Sequence, residues 1–135
     1  MEDIGELLGI VILFFYGLTV LNFFIKFGLK HFRPQLMKHP KFFKFYMKVV
    51  KFFVTWHKWF GFATILAIGG HFYIQFTNEG LSISGVIAAS AMLAQVLLGV
   101  YGKYFHPKNK VWFWIHRIIA IIIAVAIFVH LGSGD

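Results

Sequence analysis

Four of the seven histidines fall inside long apolar stretches, in two pairs of identical spacing: His57 with His71, and His116 with His130. Each pair is 14 residues apart. In an α-helix 14 residues stop about 40° short of four full turns and rise about 21 Å. Each pair therefore shares one helix face at two depths. A single apolar stretch separates the two histidine-bearing ones, so their helices run parallel. His57 is then level with His116, and His71 with His130. Two imidazoles per depth are too few for a bare metal ion, which takes four or more ligands. The chain has no cysteine, which excludes thiolate metal sites, iron–sulfur clusters and CxxCH-type haem attachment. A haem brings four equatorial nitrogens of its own and needs only two axial imidazoles. The pattern predicts two non-covalent bis-histidine b-type haems, one on His57 and His116, the other on His71 and His130.

The stretch between the histidine helices carries Gly85 and Gly99, also 14 apart. Residues mirrored about the turn of an antiparallel hairpin share a depth. Residue 78 is midway between His71 and Gly85 and between His57 and Gly99. The Pro107–Lys108 bond is midway between Gly85 and His130 and between Gly99 and His116. Both midpoints fall in turn-forming sequence, so each histidine pair has a glycine at its own depth. A glycine lets a backbone approach a flat macrocycle closely. Lys58 and Arg117 directly follow His57 and His116, where they could meet haem propionates; snorkelling to the interface is the plainer alternative. At the other haem Asn78, Ser133 or water would serve. Gln95 and Ser90, between the two depths, read as hydrogen-bonded packing residues. His31, His39 and His106 lie among basic loop residues and read as interfacial.

These residues need four membrane-spanning helices to hold them. The chain has 135 residues, 59% apolar, 20% aromatic and only 13% charged, against about 25% charged in a soluble domain. Apolar stretches cover about 7–27, 54–76, 81–101 and 111–131, each matching a hydrocarbon core of about 30 Å. One domain, 1–135, holds all four. All 13 Lys and Arg lie within 26–58 or 103–117, while the acids Glu2, Asp3, Glu6, Glu79 and Asp135 lie at the other helix ends. The positive-inside rule puts both termini outside and both basic loops in the cytoplasm. The His57/His116 haem is then the inner one, and His71/His130 the outer. Trp56, Trp59, Trp112 and Trp114 form an inner interfacial belt. The surplus of positive charge is thus a topology signal, which excludes nucleic acid as its partner. Between the first two spans, after Pro34 and Pro40, Lys41, Lys44, Lys48 and Lys51 recur within about 80° of a helical wheel. Segment 41–53 is expected to be an amphipathic helix on anionic lipid heads of the inner leaflet. The acidic amino-terminal residues do not resemble a secretory signal, and the short chain suggests a prokaryotic plasma membrane.

Histidines 14 apart on alternate helices, with glycines 14 apart on the helix between, resemble the N-terminal four-helix half of respiratory cytochrome b. The transmembrane core of ferric reductases and NADPH oxidases is similar. The resemblance covers about residues 57–130. It implies His57, His71, His116 and His130 as axial ligands and Gly85 and Gly99 as haem-facing glycines. Cytochrome b has a second glycine pair on its first helix; here Gly5, Gly9, Gly17 and Gly28 contain no pair 14 apart. The Pro-Glu-Trp-Tyr quinol motif is missing, and 135 residues leave no room for the flavin and nicotinamide domain of a ferric reductase.

Three functional readings stay open. The first is a transmembrane electron-transfer module. It would link a donor such as quinol to an acceptor on the opposite side such as a c-type cytochrome, as a subunit of a larger complex or a homo-oligomer. The second is a stand-alone quinol-dependent oxidoreductase of ferric reductase or superoxide oxidase type, with quinone as a further ligand. The third is a haem-free transporter or scaffold.

Overall fold

The computed structural model of the chain describes residues 2–133 and is all-helical there. Met1, Gly134 and Asp135 lie outside the described residues, and with them the limits of the 1–135 domain and one of the orienting acids. Four helices follow in order: α1 (Glu2–Met37), α2 (Pro40–Asn78), α3 (Ile83–Phe105) and α4 (Val111–Ser133). Three of them, α1, α3 and α4, are long and apolar enough to cross a membrane, which marks an integral membrane protein. α2 is longer still, at 39 residues. Its lysines in the first half and His57, His71 and Gln75 further on dilute its apolar character.

The helices overrun the expected limits. α1 continues through Pro34. Proline removes the bond to the carbonyl four residues earlier, here that of Lys30, and both residues are exposed, so water can replace it. Segment 41–53, expected as an amphipathic helix that could continue into the second span, is the first part of α2, which opens on Pro40 and runs unbroken past His57 and His71. Proline at the first helical position loses no intrahelical bond.

The chain divides into two compact units, Met1–Gly9 with Ile65–Asp135, and Ile10–Thr64. In the second, α1 and α2 form a hairpin whose turn is closed by bonds from Lys38 and His39 to the Gln35 and Leu36 carbonyls. The Tyr46 hydroxyl donates to the Ile25 carbonyl at 2.7 Å. Glycine at position 28 makes room for it, since a Cβ there would lie 2.6 Å from that hydroxyl oxygen. Phe52, Phe53 and Phe60 pack ring to ring, and Phe15 joins Phe60.

The first unit holds α3 and α4 as an antiparallel hairpin, with the start of α1 and the end of α2. Gly80, at φ 92°, follows the end of α2 in the left-handed region that glycine enters without cost. Ser82 caps α3, its Oγ accepting from the Gly85 N–H at 3.0 Å. Between α3 and α4, Asn109 Oδ1 accepts from the Val111 N–H at 2.9 Å. The Trp112 indole lies against Gly102 and donates to the His106 carbonyl at 3.0 Å. Ala88, Met92 and the fully buried Ile123 form the interior, together with Ala67 of α2. Large apolar side chains face outward instead: Leu66 is 78% exposed and Phe128 76%. That inversion of the soluble pattern suits contact with lipid.

Candidate functional site

In the first unit His71 of α2 and His130 of α4 come together. Their ring centroids are 6.4 Å apart and their planes 84° apart. Two imidazoles sharing one metal ion through bonds of about 2 Å have centroids roughly 6 Å apart.

Each ring is held through the nitrogen that ligation would leave spare. His71 Nδ1 lies 2.8 Å from the Gly5 carbonyl oxygen. A carbonyl only accepts, so Nδ1 is the donor. His130 Nδ1 lies 2.8 Å from Ser84 Oγ, which is itself 3.2 Å from Ser133 Oγ and 3.2 Å from Ser82 Oγ. Ser133 donates its hydrogen to the His130 carbonyl at 2.9 Å. Both rings are thus hydrogen-bonded through Nδ1, the side on which a second partner orients a histidine that binds metal through Nε2.

Glycines flank these rings. A Cβ on Gly85 would lie 3.1 Å from His130 Cε1, and one on Gly9 3.6 Å from His71 Cε1. At the other depth a Cβ on Gly99 would lie 3.2 Å from His116 Cε1. The depth matching derived from the turn at Pro107–Lys108 is therefore visible as contact between α3 and α4. The first helix takes part as well: it carries no glycine pair 14 apart, yet Gly5 and Gly9 of α1 meet His71.

His116 is half-buried, and its backbone carbonyl accepts from Gln95 Nε2 at 2.7 Å. Its ring lies 6.4 Å from that of Trp112. His57 is half-buried on α2 within the other unit. The two cations expected at propionates rest on neighbouring aromatics. Arg117 lies 4.2 Å from the Phe113 ring centre and Lys58 5.2 Å from that of Trp59. Gly61 and Gly69 have open space where a Cβ would stand, while Gly70 meets Leu8. Asn78 and Ser90 are exposed. His31, His39 and His106 are exposed too, His31 stacked on Phe27 at 4.0 Å.

Among the described residues no three or more His, Cys, Asp or Glu side chains cluster as a metal site. The donor set at α2 and α4 is instead a pair of half-buried imidazoles, each hydrogen-bonded through Nδ1. This fits a group that supplies its own equatorial ligands. Sequence reasoning missed two of the partners. The Gly5 carbonyl is a backbone group and leaves no side-chain signal. Ser84 did leave one, since the mirror relation that places Gly85 beside His130 places its neighbour there as well. Comparison with protein-family models, with curated proteins and with solved structures finds no match to the chain.

Proposed function

We propose that this chain is a b-type di-haem membrane cytochrome that transfers electrons across the bilayer, between a donor such as quinol and an acceptor on the opposite side. The observation that carries the proposal is the meeting of His71 and His130 with ring centroids 6.4 Å apart, each hydrogen-bonded through Nδ1. A bound haem supplies a one-electron couple between ferric and ferrous iron. The chain supplies the ligands, their tautomers and a water-poor apolar surround. His71 and His130 hold the outer haem, with Gly85 giving clearance. The register of 14 assigns His57 and His116 to an inner haem with Gly99 beside it, Lys58 and Arg117 being the cations nearest in sequence to those ligands. The second half of α2 is the fourth span. Its lysine-rich first half lies along anionic lipid at the cytoplasmic face, both termini being outside.

The test is a reduced-minus-oxidised absorption spectrum of the purified chain in detergent, made with haem supplied. A sharp low-spin b-type spectrum is expected. A folded chain without any haem absorption would leave the four histidines to a transport role. Steady-state quinol oxidation by the isolated chain would favour an enzyme over an electron-transfer subunit.

A further inference from the structure

We propose that Ser84 is a positioning residue for His130 and sets the potential of the outer haem. The inference rests on the haem reading above and deepens it. The two outer ligands differ in how they are held. His71 is held by the Gly5 peptide carbonyl, which no side-chain substitution removes. His130 is held by a single hydroxyl, Ser84 Oγ at 2.8 Å, reaching across from α3.

That hydroxyl has serine neighbours: Ser133 Oγ stands 3.2 Å from it and donates to the His130 carbonyl. Ser82 Oγ already accepts from the Gly85 N–H and stands 3.2 Å from Ser84. A neutral imidazole that ligates through Nε2 carries its proton on Nδ1, so in the haem-bound protein Ser84 Oγ accepts from His130 Nδ1. The imidazole is fixed in one tautomer and, by giving a hydrogen bond through Nδ1, becomes a more basic ligand at Nε2. A more basic axial ligand favours the ferric state and lowers the potential. The serines therefore act on the metal through His130 without touching it.

The test is a potentiometric titration of the full-length haem-loaded chain, followed by difference absorption, for the wild type and for Ser84→Ala, Ser84→Thr and Ser133→Ala. Haem content is measured on each. In Ser84→Ala one of the two midpoints is expected to move upward while the other stays. Ser84→Thr keeps the hydroxyl and is expected to restore the wild-type value. Ser133→Ala removes the hydroxyl 3.2 Å from Ser84, so a smaller shift of the same haem is expected. If Ser84→Ala instead sheds one haem, retention of both by Ser84→Thr supports the role, and loss from both variants overturns it. Two unchanged midpoints in a fully loaded Ser84→Ala chain, or a threonine variant that behaves like alanine, also overturn it. Those results would leave the di-haem reading intact, whereas a wild-type chain without haem would remove both.

Discussion

The two ends of the α3–α4 hairpin answer the same demand with different chemistry. At each end an α4 histidine ring faces an α3 glycine at nearly the same distance: a Cβ would lie 3.1 Å from His130 at Gly85 and 3.2 Å from His116 at Gly99. At the open end the His130 ring is held by a serine hydroxyl, with two more serines behind it. At the turn end a side-chain bond goes to the His116 backbone, from Gln95, and the Trp112 indole lies beside the ring. The glycines thus let the α3 backbone come close to an α4 histidine at both depths, while a hydroxyl lies against the ring at one end and an indole at the other.

The largest effect that could break this comparison is loss of a ligand. His71→Ala or His130→Ala is expected to remove one haem of two. His57→Ala or His116→Ala should remove the other, as read by pyridine haemochrome content per folded chain. Loss of both haems from every folded variant would contradict two independent sites. Filling the glycines comes next. Gly85→Val and Gly99→Val place branched carbons where even a Cβ is tight. Each is expected to lower haem content at its own end only, with the alanine variants milder because a neighbour need shift by only a few tenths of an ångström.

The remaining tests sharpen the turn end. A Cβ at Gly102 would run into the Trp112 indole. Gly102→Ala should therefore cost about 1–3 kcal/mol as overpacking does, seen as a lower melting temperature in detergent. Equal melting would mean that the indole can swing aside. Gln95→Leu gives the smallest effect. It removes the bond to the His116 carbonyl but also a buried Oε1 that has no hydrogen-bond partner among the described residues. A net loss below about 1 kcal/mol is expected, in line with hydrogen bonds between membrane helices. Haem content should be unchanged, and a drop in it would give Gln95 a direct part in placing His116.

Much of this was legible because helices convert sequence spacing directly into depth and face. The meeting of His71 with His130 and the glycines opposite His130 and His116 follow from a repeat of 14 and turns centred on residue 78 and the Pro107–Lys108 bond. Helix limits were less legible, since Pro34 reads as a break but is tolerated where water can reach the Lys30 carbonyl. The clamp on His71 was not legible at all, because the Gly5 carbonyl acts through the backbone. The part played by α1 was hidden for a related reason: Gly5 and Gly9 approach the ring from one turn apart, so no pair 14 apart announces them.

The most direct test of the central claim is haem stoichiometry by pyridine haemochrome on the purified full-length chain, produced with haem in excess and checked for helicity. Two b-type haems per chain is the result this account predicts. A folded chain that binds none would contradict it.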